Sequence, residues 1–345
     1  MRQDVAKCRH LDIIYRLIVT QTSCIVSKRF QAEITTMNKL PTELHDYICE
    51  SACSEDGASV HALNIVSSYF HEVSKPYLYR NIAVSGADQI SVLSKRLATV
   101  APHLCRIDHL FLSDMPPQTK LDIHSSSIDQ SSDWEDYHQL LPSVIQILAH
   151  ASSTLQSFSL FSQSPVSTAL IARVFRTTFP VLRRLSVHGF YPFLSSPKRF
   201  PRLEYLHLNG NRNPAGLLHL GTLGEACPTL KTLRITGLNS AGSFVAEVED
   251  ALSSSGADSD DASNSNDFAT PYLPPQLKVL VVQAGPPPDP GLGKVVSLKD
   301  KVMMVGLEGL RKRKADEHSA NVLVPKRALR SLSIEDMKDE WVAGI

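Results

Sequence analysis

The sequence predicts an α/β protein in which a short helical unit precedes a solenoid, with parallel strands on one side and helices on the other. Three observations support this prediction. Short amphipathic segments lie between residues 40 and 80, an apolar six-residue phrase recurs seven times after them, and helix-like segments separate the phrases. The chain has 345 residues, of which 43% are hydrophobic, so it is long enough for a sizeable core and two structural units.

Charge and cysteine content narrow the classes of function. Thirty-five basic and thirty-five acidic side chains leave no net charge, whereas nucleic-acid-binding proteins usually carry a basic excess. The six cysteines include no C-x-x-C pair, and no second pair follows Cys49 and Cys53 at zinc spacing. No stretch approaches the ~18 apolar residues of a membrane helix. We therefore expect no nucleic acid, metal, cofactor or membrane partner, and reduced thiols in the cytoplasm or nucleus.

Residues 1–36 precede Met37 and are predicted to be an extension that adds nothing to the fold. The apolar stretch at 11–20 lies among arginines and lysines, as in a mitochondrial presequence. Acidic residues such as Asp12 and Glu33 are atypical of a presequence, which favours the plain extension.

The segment "LPTELHDYICESA" at residues 40–52 predicts the first helix. Leu44, Ile48 and Ala52 follow the i, i+4, i+8 spacing of one helix face, and Pro41 precedes the predicted first turn. A second apolar pattern over 60–82 predicts one or two further short helices. About forty residues make a marginal domain, so this unit requires a neighbour in the same chain or in another protein.

The six-residue phrase L-x-x-L-x-L, in which L stands for an apolar residue, recurs through the rest of the chain. Its last three positions alternate, which is typical of a strand whose fourth and sixth phrase positions face inward. The phrases begin at residues 107, 155, 182, 203, 230, 277 and 329, at spacings of 48, 27, 21, 27, 47 and 52. The shorter spacings suit one strand–turn–helix repeat. The longer ones contain polar inserts, which we predict to be disordered near 113–135 and 253–272.

Together the two parts resemble the F-box/leucine-rich-repeat proteins that are abundant in basidiomycete, mushroom-forming fungi. Residues 40–80 resemble an F-box in their Leu-Pro start and in the later segments "VSSYF" and "YLYRNI". Ser67 occupies the position usual for cysteine, and Phe70 and Tyr79 occupy those usual for tryptophan. Residues 81–345 resemble a degenerate leucine-rich-repeat solenoid.

The resemblance implies a non-catalytic substrate-recognition adaptor of a Skp–cullin–F-box ubiquitin ligase. The F-box would bind the Skp adaptor, and through it a cullin, while the repeats would bind an unknown protein substrate. The adaptor-binding residues expected on this basis are Leu40, Pro41, Leu44, Ile48, Leu63, Val66 and Phe70. The alternative is a non-catalytic repeat scaffold for protein interactions, in which residues 40–80 cap the first strand at 81–84.

In a solenoid of this kind the third and fifth phrase positions line the concave face of the sheet. The central strands then present four residues side by side, namely Arg184, Tyr205, His207 and Arg234. Arginine and tyrosine are common in binding hot spots, and an acidic or phosphorylated substrate would suit them. The alternative is a solvated strand face without a ligand.

Overall fold

The computed structural model describes residues 40–52, 58–101, 104–116, 130–163, 168–192, 197–219, 222–254, 271–289, 291, 293–313 and 320–344. The predicted extension at 1–36 therefore lies outside the described residues. The chain divides into two compact units. The first comprises residues up to Ile82 together with 101–106, and the second comprises 83–100 and 107–345.

The first unit is helical, as predicted. Its elements are α1 (Thr42–Ala52), α2 (Ala58–Asn64), α3 (Ser68–Ser74) and a 3-10 turn (Lys75–Tyr77). The Pro41 carbonyl accepts from the backbone N–H groups of Leu44 and His45, at 3.0 and 3.3 Å, and so closes the first turn of α1. Ser67 caps α3, because its hydroxyl accepts from the Phe70 backbone N–H at 3.2 Å.

A small apolar core holds these helices together. Its members come from all three helices and from the 3-10 turn: Cys49, Ala52, Leu63 and Phe70 are buried, and Val73 and Tyr77 pack against them. At the rim the Tyr77 hydroxyl donates to Asp46 at 2.6 Å, and Arg80 pairs with Glu50 at 3.1 Å. The core is small, as expected for about forty residues.

The second unit is an α/β structure built on one sheet. Its strands are β1 (Asn81–Ser85, of which the last three residues belong to this unit), β2 (His109–Ser113), β3 (Ser157–Phe161), β4 (Arg184–His188), β5 (Tyr205–Asn209), β6 (Thr232–Leu238), β7 (Val279–Ala284) and β8 (Asn321–Leu323). Its helices are α4 (Ala87–Thr99), α5 (Gln130–Ala151), α6 (Thr168–Arg176), α7 (Thr222–Ala226), α8 (Gly242–Ser254), α9 (Lys294–Lys312) and α10 (Ile334–Val342). The strand order follows the chain order, and all pairings from β2 to β8 are parallel.

Two rows of apolar side chains cross the sheet in register and confirm the inward positions predicted for the first six phrases. One row is Leu110, Phe158, Leu185, Leu206, Leu233 and Leu280, and the other is Leu112, Leu160, Val187, Leu208, Ile235 and Val282. We call this side of the sheet the first face. Ring contacts connect it to α6, because Phe158 neighbours Phe179, and Phe200 contacts both Phe179 and Phe175 of α6.

The seventh phrase, at 329–334, is not a strand. Leu329 is 96% exposed, and Ile334 begins α10. The reason is local: the Ser333 hydroxyl accepts from the Asp336 N–H and the Asp336 carboxylate accepts from the Ser333 N–H, both at 3.1 Å. This capping box starts a helix where the phrase alone suggested a strand.

The two predicted inserts lie partly outside the described residues, at 117–129 and 255–270. At their ends the chain is regular. Helix α5 begins at Gln130, within the predicted range 113–135, and α8 extends to Ser254.

Candidate protein-binding surfaces

The helical unit carries a set of exposed large apolar side chains. Leu44 and Tyr47 lie one turn apart on α1, Ile65 and Val66 form the turn after α2, and Tyr69 is the second residue of α3. Their exposed fractions are 47%, 68%, 84%, 43% and 41%, respectively. We call these five residues the apolar patch. Single exposed apolar residues are ordinary, and five of them on a unit of about forty residues make this a candidate protein-binding surface.

The seven residues expected to bind the adaptor differ in how far they are buried in the structure. Leu63 and Phe70 are buried in the unit's own core, Leu40 and Ile48 are half-buried, and Pro41, Leu44 and Val66 are exposed. Sequence reasoning missed Tyr47, Ile65 and Tyr69. The exposure of Ile65 could have been predicted from its position. Ile65 directly precedes Val66 between two helical patterns, where a turn exposes consecutive side chains.

His45 of α1 contacts Tyr69, a residue of the apolar patch, from the interior of the unit. Its ring is buried, its Nδ1 lies 2.8 Å from the Tyr69 hydroxyl, and it makes edge-on contacts with the rings of Tyr69 and Phe70. A hydrogen bond and two ring contacts fix the orientation of Tyr69. Of the five residues of the apolar patch, Tyr69 is therefore oriented by contacts with the interior of the unit.

The second candidate surface lies on the other side of the sheet, which we call the second face. It presents Arg184, Tyr205, His207 and Arg234, the four residues predicted to bind a substrate. The strand register places Arg184 beside Tyr205 and His207 beside Arg234, so the predicted neighbourhood is confirmed. The Arg184 guanidinium carbon lies 4.6 Å from the centre of the Tyr205 ring.

Helix α10 of the same chain covers this face. Its side chains Ile334, Met337 and Trp341 form a buried cluster with Phe111 of β2 and Phe161 of β3. The ring centres of Phe111 and Trp341 are 5.9 Å apart. The predicted third- and fifth-position side chains are therefore partly enclosed, and His207 is only 1% exposed.

Glu340 of α10 binds the centre of the predicted patch. The Tyr205 hydroxyl donates to Glu340 Oε1 at 2.8 Å, Arg234 donates to the same atom at 3.0 Å, and His207 Nδ1 lies 3.2 Å from it. The other ring nitrogen of His207 is 2.8 Å from the Thr236 hydroxyl. Two neighbouring strands, β5 and β6, thus contribute three side chains to one carboxylate site, which is the acidic-ligand chemistry predicted for these residues.

The electrostatics agree with a carboxylate bound in its charged form. Burial alone would raise the pKa of Glu340, but the hydrogen bonds and charges of His207, Arg234 and Tyr205 outweigh burial and hold the pKa below its usual range. Burial lowers the pKa of His207, and the hydrogen bond and charge of Glu340 oppose this shift in part. Burial and the nearby Glu340 raise the pKa of Tyr205 to about 12.

Hydrogen bonds of Arg327 anchor the chain just before α10. Arg327 donates to both carboxylate oxygens of Asp300 at 2.8 Å and to the carbonyls of Gly285 and Pro286. We call these contacts the Arg327 clamp. Residues 329–333 then lead to α10, with Leu329 almost fully exposed. A bidentate charged pair is a strong local anchor, so the chain is held at Arg327 independently of α10.

The described residues include no group of three or more histidine, cysteine, aspartate or glutamate side chains that would hold a metal ion, and no helix long and apolar enough to cross a membrane. The described cysteines, Cys49, Cys105 and Cys227, are buried free thiols. Burial raises the pKa of all three, to about 11 for Cys49 and about 12 for Cys227. A protonated buried thiol is a poor nucleophile, so these side chains are structural.

Comparison with protein-family models, with curated proteins and with solved structures finds no match to this chain. Functional conclusions therefore depend on the two surfaces themselves.

Proposed function

We propose that this chain is the substrate-recognition subunit of a Skp–cullin–F-box ubiquitin ligase. In this proposal the helical unit binds the Skp adaptor, and the sheet unit, a degenerate leucine-rich-repeat solenoid, binds the protein to be ubiquitinated. The chain performs no bond chemistry; it raises the local concentration of substrate lysines near a ubiquitin-charged enzyme.

The observation that carries this proposal is the apolar patch. Its five side chains are 41–84% exposed, while Leu63 and Phe70 are buried in the core of the unit. Each large aliphatic or aromatic side chain that moves from water into an interface contributes about 1.5–3 kcal/mol. A patch of this composition supports a helical unit that is completed by another protein.

The sheet supports the second half of the proposal. Its strands follow the chain order, and its leucine rows come from phrases separated by 21 to 27 residues in the centre of the chain. Such stacking leaves a second face of adjacent strands, on which arginine, tyrosine and histidine lie next to each other. Solenoid repeats commonly bind proteins on a surface of this type.

The test is binding of the full chain to a purified fungal Skp adaptor, measured by calorimetry. We expect Leu44→Asp/Ile65→Asp to weaken binding more than about tenfold, because two exposed apolar contacts become charged. Val92→Asp is the matched control: Val92 is 64% exposed on α4 in the other unit, and its substitution should leave the affinity unchanged.

The circular dichroism spectrum of each variant must match that of the parent chain before affinities are compared. A soluble, monodisperse parent chain that does not bind the adaptor would reject the proposal. It would favour the alternative, a repeat scaffold in which residues 40–80 serve as a terminal cap.

A further inference from the structure

We infer that the second face of the sheet is a binding site for an acidic amphipathic helix of a partner protein, and that α10 occupies this site as an intramolecular competitor. We call α10 the tail helix, and the side chains beneath it (Phe111, Phe161, Arg184, Tyr205, His207 and Arg234) the tail site. The inference rests on the proposed function, because it names the class of substrate segment that the sheet unit binds.

The tail helix has the form of a peptide ligand in a groove. Ile334, Met337 and Trp341 follow the i, i+3, i+7 spacing by which amphipathic helices enter apolar grooves. An isolated helix of this length is marginal in water, so its helicity depends on the surface that it covers. The tail site therefore selects a helix with these three apolar anchors.

A carboxylate is the second feature of the ligand. Glu340 lies six positions after the first anchor, and three side chains from β5 and β6 converge on its Oε1. Because Arg234 and Tyr205 belong to the sheet, they remain in place when the tail helix leaves. A partner helix with aspartate or glutamate at the same position would replace Glu340 directly.

The fit of the tail helix is incomplete. Within the described part of the chain, the indole N–H of Trp341 and the hydroxyl of Ser159 are buried without a hydrogen-bond partner. Each buried unsatisfied polar group costs free energy that a better-matched ligand would recover. The tail helix is thus not the best possible occupant of its own site, which is the condition for displacement by a partner.

Arg184 predicts a further preference. Among the described residues its guanidinium stacks on Tyr205 but forms no ion pair. A Cβ atom added to Gly344 would lie only 2.8 Å from Arg184 Nε, so any side chain at this position would require the guanidinium to shift. The tail site therefore favours glycine at this position of a ligand, because glycine leaves Arg184 stacked on Tyr205.

The covalent link to the sheet unit explains how the tail helix competes with a partner and how it can detach. The Arg327 clamp holds the chain just before the tail helix, and only residues 328–333 connect the two. A short tether of this kind gives the tail an effective concentration on the order of millimolar. When the tail helix leaves, the clamp keeps β8 and the rest of the sheet in position.

The experiment measures binding of a fluorescein-labelled peptide of residues 331–344, amidated at its C-terminus, to full-length protein by anisotropy. We expect weak binding to the parent chain and at least about tenfold tighter binding to Glu340→Ala/Trp341→Ala, whose own tail is weakened. Leu329→Ala, at a fully exposed tether position, is the control and should behave as the parent chain.

Two further comparisons define the specificity. Adding Arg234→Ala to the weakened-tail chain should reduce peptide affinity about tenfold, and so should Glu340→Ala in the peptide, because each removes one partner of the carboxylate site. Peptide binding that is equally weak in the folded parent and folded weakened-tail chains overturns the inference.

Should the weakened-tail chain fail to fold, hydrogen exchange in the parent chain decides. Amides of α10 that exchange much faster than those of β4–β6 support a tail that detaches from an intact sheet. Equal protection of both would overturn the inference, since the tail would leave only on global unfolding. Adaptor binding is measured separately. Loss of peptide binding with intact adaptor binding rejects only this inference. Peptide binding without adaptor binding rejects only the ligase assignment.

Discussion

The apolar patch and the tail site differ in how the chain treats a surface that suits a partner. The apolar patch is left open, with Ile65 84% exposed, whereas the tail site is covered by the chain's own helix and His207 is 1% exposed. The patch is aliphatic and aromatic, and the tail site combines an apolar end with a carboxylate-binding end. An open apolar surface suits a constant partner, and a covered, charged surface suits a ligand that must compete for its place.

The largest effect on stability should come from a substitution in the core of the helical unit, compared with a substitution in the apolar patch. Phe70→Ala removes a buried ring and should destabilise the helical unit by about 3–5 kcal/mol, because the small core cannot refill the cavity. Ile65→Ala, in the open patch, should change the unfolding free energy by less than about 0.5 kcal/mol. Urea denaturation followed by hydrogen exchange of α1 and α3 measures both. Equal effects would mean that Ile65 is a core residue.

A somewhat smaller effect is expected at the apolar end of the tail site. Trp341→Ala removes the ring that contacts Phe111 and should weaken docking of the tail helix by about 3 kcal/mol. The expected observation is faster amide exchange in α10, with unchanged exchange in β4 and β5. Uniformly faster exchange throughout the sheet would show instead that the tail helix is part of the cooperative core.

The charged end should contribute less and should depend on pH. Glu340→Gln keeps the side-chain shape but removes its charge, which we expect to cost about 1–2 kcal/mol of tail docking. The neighbours Tyr205, His207 and Arg234 lower the pKa of Glu340 below the ordinary glutamate value of 4.5. The charge of Glu340 therefore contributes fully to tail docking above pH 4.5, and this contribution disappears as the pH falls through the lowered pKa.

Trp341 fluorescence reports this titration in chains that also carry Trp134→Phe, since the sequence contains two tryptophans. The parent should lose a docking contribution on acidification that the Glu340→Gln chain lacks. Identical acid profiles for the two chains would count against the Glu340 site.

The smallest effect should come from the helix start. Ser333→Ala removes the hydroxyl of the capping box and should destabilise α10 by about 1 kcal/mol. Ser333→Asp restores a capping acceptor and serves as the matched control. The measurement is again amide exchange in α10, and an unchanged rate in Ser333→Ala would show that docking, not capping, determines the start of the helix.

Sequence reasoning was successful where a short pattern determines the structure. The alternation in "LEYLHL" placed Leu206 and Leu208 on the buried face, because a period of two leaves only one arrangement of a half-buried strand. The same reasoning was wrong at "LRSLSI", where the capping pair Ser333 and Asp336 outweighed a strand-like phrase. Local hydrogen bonds to the backbone thus took precedence over apolar alternation.

The tail site was predicted only in part, for a physical reason. The strand phrases brought Arg184, Tyr205, His207 and Arg234 together because neighbouring strands share a register. Nothing in those phrases indicates that Glu340, 135 residues after Tyr205, returns to cover them. The spacing of Ile334, Met337 and Trp341 signals an amphipathic helix, but not which surface that helix covers.

The brevity of β8 has a consequence for how the protein behaves in concentrated solution. A parallel sheet that ended in a long, flat strand would offer unpaired N–H and carbonyl groups to neighbouring molecules and would invite edge-to-edge polymerisation. Here the last strand spans only Asn321–Leu323, and Pro325 follows it without an N–H to donate. At this edge the sheet therefore ends in a strand too short to template a strand of a neighbouring molecule.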